Sequence, residues 1–284
     1  MQLVTVLYAG QERWGVLEED GSIRLAPAPP QAPESLLALI EADLAPLPEP
    51  DWELVTHGDA TLLAPLPTPR RNILCLGLNY ADHAEEAFRA EGKEVRLPEH
   101  PVVFTKATTT VTGPDSEIIL EPEITEQMDW EVELAVVIGR GGRHIPESDA
   151  MAHVFGYTIV NDLTARDIQF RHKQFFLGKS LDGSCPMGPG ITTAQSIADP
   201  QSLDIRCRVN GELKQQSNTA RMIFPIPHVI HVLSRIVRLQ PGDVIATGTP
   251  AGVGFARNPP EYLRPGDEIE CEITGLGVLR NRCV

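Results

Sequence analysis

Alternating apolar and polar positions predict short strands along most of the chain. In Ile205–Val209 and Glu268–Ile273, every second residue is apolar. Successive side chains of a strand point to opposite faces, so this period of two indicates strands with one buried and one wet face. Apolar runs bounded by turn residues predict further strands at Ile73–Leu78, Val102–Thr105, Glu131–Ile138, Gly156–Val160 and Val244–Ala246.

Helical patterns are fewer than strand patterns. Beyond residue 71 only two or three helices are predicted, one of them beginning at Pro227. A doubly wound parallel sheet would need a helix after nearly every strand. The predicted fold class is therefore α+β with a predominance of β structure.

The first 66 residues differ from the rest in both pattern and charge. Three short β patterns and a helical pattern over residues 34–44 predict a small meander with one helix. This segment has 11 acidic and 2 basic residues, and ten of the chain's 25 prolines lie between Pro27 and Pro69. Proline interrupts helices and central strands. We predict a small acidic N-terminal domain at 1–66, a proline-rich linker at 67–70 and a second domain at 71–284.

The overall composition excludes several classes of protein. Of the 284 residues, 42% are hydrophobic and 22% are charged, as in globular proteins. The net charge of −15 would repel a phosphate backbone, so no nucleic-acid partner is expected. No apolar run approaches the roughly 20 residues that cross a bilayer, and no signal peptide is recognisable at the start. Five cysteines without a C-x-x-C pair favour free thiols and a cytoplasmic location.

Two carboxylates lie in one of the most apolar predicted strands. Glu131 and Glu133 are two residues apart, so they project to the same face. Asp162 follows a second apolar run, where the end of a strand can direct a side chain into a cleft. Carboxylates without Cys or His nearby in sequence suit Mg²⁺ or Mn²⁺. The alternative for the two glutamates is the solvated face of an edge strand, because the E-x-E pattern is common.

Two further segments carry groups for acid–base chemistry and for anion binding. His83 and Glu86 have the i, i+3 spacing at which a carboxylate orients an imidazole as a general base, and a surface ion pair has the same spacing. Hydrogen-bond donors for a substrate carboxylate are available from Arg166, Gln169 and Lys179. The alternative for Arg166 and Lys179 is a structural role as counter-ions of the acidic residues.

These segments together resemble the fumarylacetoacetate hydrolase family over roughly residues 71–284. The resemblance implies a mixed, β-rich sandwich roll that is commonly dimeric and holds Mg²⁺ or Mn²⁺ through three carboxylates. The blocks that carry it are, in order, GLNYADHAEEA, VVFTKATTTVTGP, DWEVELAVVIG, FGYTIVNDLTARDIQ, GKSLDGSCPMGP, VNGELKQQSNT, LQPGDVIATGTPAGVG and LRPGDEIECEITGLGVLRNRC.

The resemblance also implies a role for each candidate residue. The metal would be bound by Glu131, Glu133 and Asp162. A dyad of His83 and Glu86 would lie on a mobile lid that extends to about residue 98. The substrate would be surrounded by Arg166, Gln169, Thr249 and the catalytic Lys179.

The predicted function follows from one further block. The segment from His172 to Lys179 resembles most the bacterial family members that decarboxylate oxaloacetate. We therefore predict divalent-metal-dependent C–C cleavage of a short 2-oxo acid through an enolate, either oxaloacetate decarboxylation or hydrolysis of an acylpyruvate such as fumarylpyruvate. The alternatives are a 2-hydroxyhepta-2,4-diene-1,7-dioate isomerase-type activity and a non-catalytic metal-binding protein on the same fold. The expected partners are a small 2-oxo mono- or dicarboxylate and a second copy of the chain in a homodimer.

Overall fold

The computed structural model describes residues 1–44, 52–56, 58–90 and 92–284. Over these residues, strands form one large sheet, one five-stranded sheet and one two-stranded ribbon. The predicted α+β class with mostly β structure is confirmed. Among the helices in these ranges, none combines the length and the apolar character that crossing a membrane requires.

The N-terminal region contains a meander and one short helix, as predicted. Helix α1 begins after Ser35, whose side-chain oxygen accepts a hydrogen bond from the backbone N–H of Ala38 at 3.1 Å. The helix is shorter than the predicted range 34–44. The described elements are β1 (Gln2–Tyr8), β2 (Gln11–Leu17), β3 (Ile23–Leu25), α1 (Leu36–Glu41), β4 (Glu53–Val55) and β5 (Ala60–Leu63).

The remainder of the chain contains all seven strands predicted there, with bounds that differ by at most two residues. Its strands are β6 (Ile73–Gly77), β7 (Val102–Lys106), β8 (Val111–Thr112), β9 (Glu117–Ile118), β10 (Met128–Asp129), β11 (Val132–Ile138), β12 (Val154–Asn161), β13 (Thr164–Ala165), β14 (Cys185–Thr193), β15 (Asp204–Val209), β16 (Glu212–Asn218), β17 (Val244–Ala246), β18 (Glu268–Ile273) and β19 (Gly277–Cys283). Its α-helices are α2 (Ala81–Ala90), α3 (Arg166–Arg171) and α4 (Ile226–Ile236), and 3₁₀ turns lie at Thr108–Thr110, Glu147–His153, Ala194–Ser196, Thr219–Arg221 and Gly254–Ala256.

The large sheet joins the first strand of the chain to strands from its middle. Its order is β4-β3-β2-β1-β14-β12-β11-β17-β6-β7, with β5 paired to β1 and β8 paired to β14. The antiparallel β1–β14 pairing sets Leu3 opposite Ile191. The five-stranded sheet has the order β16-β15-β18-β19-β9, and β10 pairs with β13.

The N-terminal region shares a core as well as a sheet with the rest of the chain. Leu3, Trp14 and Leu36 belong to the same buried cluster as Ala135 and Val137 of β11. Just before the predicted linker, the carbonyl oxygen of Pro65 accepts a hydrogen bond from the Thr5 hydroxyl at 2.8 Å. The domain boundary at residues 67–70 therefore stays a prediction, between segments that pack closely together.

Strand β11 is central and buried on both faces. Val132, Leu134 and Val136 point into a core shared with the five-stranded sheet and helix α4. Ala135 and Val137 point into the core shared with the N-terminal region. The solvated edge-strand alternative for Glu131 and Glu133 is therefore wrong, because β11 lies between β12 and β17.

All five cysteines are free and buried, as their number and spacing predicted. Burial raises the pKa of the Cys185 thiol to about 12, which excludes it as a thiolate nucleophile at neutral pH. The helical histidines at 228 and 231 also serve packing. His228 stacks on Phe224, and His231 Nδ1 lies 2.7 Å from the carbonyl oxygen of Ile145.

Candidate active site

The pairing of β11 with β12 brings the three predicted metal ligands together. Asn161 lies opposite Val132, and the backbone N–H of Asp162 donates to the carbonyl oxygen of Glu131 at 2.8 Å. Glu131, Glu133 and Asp162 are buried, and each offers an oxygen within 4.8 Å of the other two. The structure therefore assembles one buried acidic cluster from the ends of two neighbouring strands.

The loop after β17 closes over this cluster. The backbone N–H of Thr247 donates to the Leu134 carbonyl at 3.0 Å, and that of Gly248 donates to Glu133 Oε2 at 2.7 Å. Gly248 has φ +97°, and a Cβ there would lie 2.8 Å from the Cβ of Asn79. Only glycine allows this approach of the backbone to the carboxylate.

Two buried lysines neutralise part of the cluster. Lys179 Nζ lies 2.8 Å from Glu131 Oε2 and 2.7 Å from Asp162 Oδ2. Lys106 Nζ lies 2.8 Å from Asp162 Oδ1 and donates to the carbonyl oxygen of Leu163 at 3.0 Å. Lys179 was predicted from the sequence, whereas Lys106, which ends β7, was not. The available signal was its charge within the block VVFTKATTTVTGP.

The backbone comes very close to helix α3 at Gly178, the residue before Lys179. A Cβ on Gly178 would lie 2.6 Å from the backbone nitrogen of Gln169, and the Gly178 carbonyl accepts from the N–H of Ala165 at 2.8 Å. This contact holds the lysine segment against helix α3.

Arg166 links the acidic cluster to helix α3. Its Nε donates to Asp129 Oδ2 at 2.8 Å, and its Nη2 lies 2.7 Å from Glu131 Oε1. Its Nη1 donates to Gln169 Oε1 at 3.0 Å. Arg166 is therefore a counter-ion of the cluster while it also lines the cavity, so both roles considered for it are available.

Asp129 is a fully buried carboxylate to which the sequence alone assigned no role. Besides Arg166, it accepts from the backbone N–H groups of Trp130 at 2.8 Å, Gly254 at 2.7 Å and Phe255 at 3.0 Å. It joins the strand before the cluster, helix α3 and the loop after β17. Its position two residues before Glu131, which extends the E-x-E spacing to D-x-E-x-E, was a signal in the sequence.

The charged groups of the cluster shift the pKa values of their neighbours, some upward and some downward. Burial would raise the pKa of Glu131, but Lys179 and Arg166 outweigh it and lower this pKa to about 2. Burial and the carboxylates of Asp162 and Glu131 raise the pKa of Glu133 well above its usual range. The pKa of Lys179 is raised, because its two carboxylate partners outweigh burial, so it remains an ammonium group.

The donor set fits a divalent cation. The acidic cluster and the charged residues around it together contain four buried carboxylates and three buried cations. The carboxylates are Asp129, Glu131, Glu133 and Asp162, and the cations are Lys106, Arg166 and Lys179. Together they therefore carry one negative charge in excess when all are ionised. Among the described residues, no cationic side chain lies within ion-pair distance of Glu133. A cation between the three carboxylate oxygens would supply the missing positive charge.

The predicted His–Glu pair is present on helix α2. His83 Nδ1 lies 3.0 Å from Glu86 Oε1, and His83 is only 6% exposed, so this is not a surface ion pair. Both oxygens of Glu86 accept from the backbone N–H of Gly252, at 2.9 and 3.0 Å. The predicted lid thus begins as an ordered helix joined to the loop after β17, and its mobility stays a prediction.

A cavity of about 310 Å³ opens onto these groups. Glu133 and Asp162 lie behind its wall beside Glu131 and Lys179, and Glu86 lies behind His83. Six of the nine predicted site residues line the cavity, and the other three adjoin them. The six are His83, Glu131, Arg166, Gln169, Lys179 and Thr249.

The Thr249 hydroxyl is already engaged by the protein. It donates to the carbonyl oxygen of Val132 at 2.9 Å and accepts from Gln215 Nε2 at 2.8 Å. Gln215 Oε1 in turn accepts from the N–H of Val132 at 3.0 Å. These bonds hold the loop against β11. Gln215 lies in the block VNGELKQQSNT, but no local pattern there distinguishes it from its polar neighbours.

Three comparisons with known proteins bear on this site. A profile described as "Fumarylacetoacetate (FAA) hydrolase C-terminal" matches residues 72–284. The chain is 53% identical over 225 residues to oxaloacetate tautomerase YisK of Bacillus subtilis (strain 168), covering 79% of this chain and 73% of that protein. A fumarylacetoacetate hydrolase (EaFAH) from the psychrophilic Exiguobacterium antarcticum matches with a TM-score of 0.88 and 42% identity, over 100% of this chain and 99% of that chain. A 2-hydroxyhepta-2,4-diene-1,7-dioate isomerase from Mycobacterium marinum matches with a TM-score of 0.79 and 30% identity, over 100% and 98%.

Proposed function

Because the chain belongs to the fumarylacetoacetate hydrolase family, we propose that it interconverts the keto and enol forms of oxaloacetate. The observation that carries this proposal is the position of His83, a glutamate-oriented imidazole in the wall of a cavity that Arg166 and Lys179 also line. A base that faces cationic groups suits proton transfer beside a carbonyl group. The similarity to an oxaloacetate tautomerase supports the substrate.

The polar end of the cavity binds the 2-oxo acid end of the substrate. Lys179 and Arg166 offer positive charge to the carboxylate and the 2-oxo oxygen. Gln169 accepts from Arg166 through Oε1, so its Nε2 is the atom that can donate to the substrate. These roles keep the predicted assignments of Arg166 and Gln169 to the substrate, whereas the hydroxyl of Thr249, the third predicted substrate-binding residue, is engaged by the protein.

The acidic cluster is the proposed site for Mg²⁺ or Mn²⁺, with Glu131, Glu133 and Asp162 as ligands. Such a cation, when bound, acts as a Lewis acid for negative charge on the 2-oxo oxygen. Hard divalent ions prefer carboxylate oxygens, and the three carboxylates each offer an oxygen within 4.8 Å of the other two, which supports this assignment.

The proton moves through His83. Its Nε2 takes a proton from C3 of the keto form and delivers one to the 2-oxo oxygen, and the reverse order forms the ketone. Glu86 keeps the proton on Nδ1 and stabilises the imidazolium that forms between the two steps. Helix α2 brings this pair to the cavity and excludes bulk water from it.

The C–C cleavage predicted from the sequence is the second candidate. In oxaloacetate decarboxylation the C3–C4 bond breaks and carbon dioxide leaves. The electron pair of the broken bond remains on the three-carbon fragment as an enolate, which His83 protonates. Similarity to a fumarylacetoacetate hydrolase favours cleavage, and similarity to a diene-dioate isomerase favours a proton shuttle. A non-catalytic role has less support, because the base, its partner and the cationic groups are all in place. The homodimer, the cytoplasmic location and the lack of a nucleic-acid partner stay predictions.

The test supplies enol oxaloacetate to the purified chain with Mg²⁺ or Mn²⁺. Loss of the enol's ultraviolet absorbance measures tautomerisation, and carbon dioxide release from the same sample measures decarboxylation. We expect tautomerisation to exceed both the buffer rate and any release of carbon dioxide. Carbon dioxide release that keeps pace with loss of the enol would favour the second candidate. The absence of both tautomerisation and decarboxylation would refute both candidates.

Two variants separate the base from the cation site. His83→Ala should lower kcat by about 10²- to 10⁴-fold, the usual contribution of a general base, and leave Mn²⁺ affinity unchanged by calorimetry. Asp162→Ala should lose both catalytic activity and Mn²⁺ binding. His228→Ala, on helix α4, is the control and should change neither. Loss of Mn²⁺ binding in His83→Ala would make this histidine a ligand and contradict its role as the base.

A further inference from the structure

The cavity of the proposed active site is far more aromatic than a four-carbon dicarboxylate requires. The chain has eight phenylalanines, and five of them line this one cavity. Leu76 and Ala87 add further apolar wall, and Lys93 and His172 also belong to the lining. A volume of about 310 Å³ lies within the range of roughly 300–1,000 Å³ typical of cavities that hold drug-sized ligands. The five phenylalanines are Phe88, Phe104, Phe170, Phe175 and Phe255.

Four of these rings form two edge-to-face pairs. The Phe104 and Phe175 centroids are 5.7 Å apart with an interplanar angle of 76°. The Phe170 and Phe255 centroids are 5.2 Å apart with an angle of 64°. Edge-to-face contacts of this kind restrict the orientation of each ring, so the cavity has two defined aromatic walls.

One ring of each pair contacts a cation of the polar site. Lys179 Nζ lies 5.1 Å from the centroid of the Phe104 ring, and Arg166 Cζ lies 4.5 Å from that of Phe255. The aromatic walls therefore start at the two cations that the proposed function assigns to the 2-oxo acid group. A 2-oxo acid held by these cations would have its far end in a cavity lined mostly by aromatic and aliphatic residues.

The walls favour an aromatic group at that far end. A carboxylate loses hydration beside apolar walls, whereas a phenyl ring gains both burial and aromatic contacts there. Oxaloacetate would leave most of this surface uncovered. A planar ring attached at C3 would cover it while the 2-oxo acid end remains at Arg166 and Lys179.

We propose that the same site also interconverts the keto and enol forms of arylpyruvates, of which phenylpyruvate is the simplest; this rests on the proposed function. His83 Nε2 removes a proton from C3, and the C–H electron pair becomes the C2=C3 double bond. The carbonyl π electrons move to the 2-oxo oxygen, which takes a proton from the imidazolium. Nothing is oxidised or lost, and no second reactant is required.

The experiment measures both acids on the full-length protein with Mg²⁺ present. Decay of the phenylpyruvate enol is followed by its ultraviolet absorbance, beside the oxaloacetate assay. We expect acceleration of both reactions. Acceleration with oxaloacetate alone would overturn the arylpyruvate activity and leave the proposed function intact, whereas no acceleration with either acid would overturn both.

Adjacent phenylalanines provide a matched pair of variants. Phe175 lines the cavity, whereas Phe176 is 40% exposed and lies outside its lining. Phe175→Ala should lower kcat/KM for phenylpyruvate about tenfold more than it lowers kcat/KM for oxaloacetate. Phe176→Ala should change neither. Equal effects of the two variants on phenylpyruvate would show that the aromatic wall does not bind the ring.

A second variant guards against loss of the fold. Phe170→Leu keeps an apolar side chain on the opposite wall and removes only the ring. With an unchanged circular dichroism spectrum, it should again lower kcat/KM for phenylpyruvate selectively. Unchanged kcat/KM for phenylpyruvate in this folded variant would overturn the role of the second aromatic pair.

Discussion

At the scale of single residues, the active-site cluster depends on buried charges that compensate one another. Lys106 is fully buried, and its ammonium group contacts Asp162 Oδ1 and the carbonyl oxygen of Leu163. Removal of one partner from a buried ion pair is costly, because the remaining charge has neither water nor a counter-ion. Lys106 therefore contributes to stability as well as to the charge of the site.

Lys106→Met keeps most of the side-chain volume and removes the charge. We expect the free energy of unfolding to fall by about 3–5 kcal/mol, measured by urea denaturation. Lys173→Met, at an exposed lysine, is the control and should stay within about 0.5 kcal/mol of the wild type. Matching urea midpoints for the two variants would show that the buried lysine does not stabilise the fold.

Local patterns allowed several site residues to be predicted, but not their neighbours. The two-residue spacing of Glu131 and Glu133 fixes a shared face whatever the rest of the fold does. Lys106 reaches the cluster, and Gln215 reaches the loop beside it, through tertiary packing from distant strands that no local period can pair. Their roles became visible only when strand order and register were known.

At the scale of elements, helix α2 connects the base to the loop that closes the cluster. Glu86 contacts His83 on its own helix and accepts from the N–H of Gly252 on that loop. One carboxylate thus orients the base and holds the helix over the cavity. The neighbouring Glu85 instead pairs with Arg89 on the same helix, at the surface.

Glu86→Ala should therefore both increase the mobility of helix α2 and lower the rate of catalysis, whereas Glu85→Ala should change neither. We expect faster hydrogen exchange in residues 81–90 and 250–254 of Glu86→Ala, because the bond to Gly252 is lost. Its kcat should fall at least tenfold, because the imidazole loses its partner. Exchange as slow as in the wild type would show that other contacts hold the helix.

At the scale of the whole molecule, the N-terminal region is part of the framework of the site. Strand β1 pairs with β14, β14 with β12, and β12 with β11, which leads into the acidic cluster. Three of the five N-terminal strands, β1 to β3, and helix α1 were predicted from the sequence, because their patterns are local, whereas β4 and β5 were missed. The sequence could not predict that β1 pairs with a strand nearly two hundred residues away, and the shift in charge and proline content near residue 66 instead suggested separation.

Two leucines of β1 test this connection. Leu3 is fully buried in the core shared with β11, whereas Leu7 is 44% exposed. Leu3→Ala should lower the free energy of unfolding of the whole chain by about 2–5 kcal/mol in one cooperative transition. Leu7→Ala should have little effect. A separate early transition in Leu3→Ala would instead support an independent domain at residues 1–66.

The four hydrogen bonds of Asp129 have a consequence for how this protein can evolve. Both carboxylate oxygens face donors, one of them the guanidinium of Arg166. Asparagine would place an amide N–H₂ against another donor, and glutamate would add a methylene group to a filled space. Single substitutions here lose bonds to several segments at once. In a selection for new substrates, we therefore expect the phenylalanine walls to diversify while Asp129 is retained.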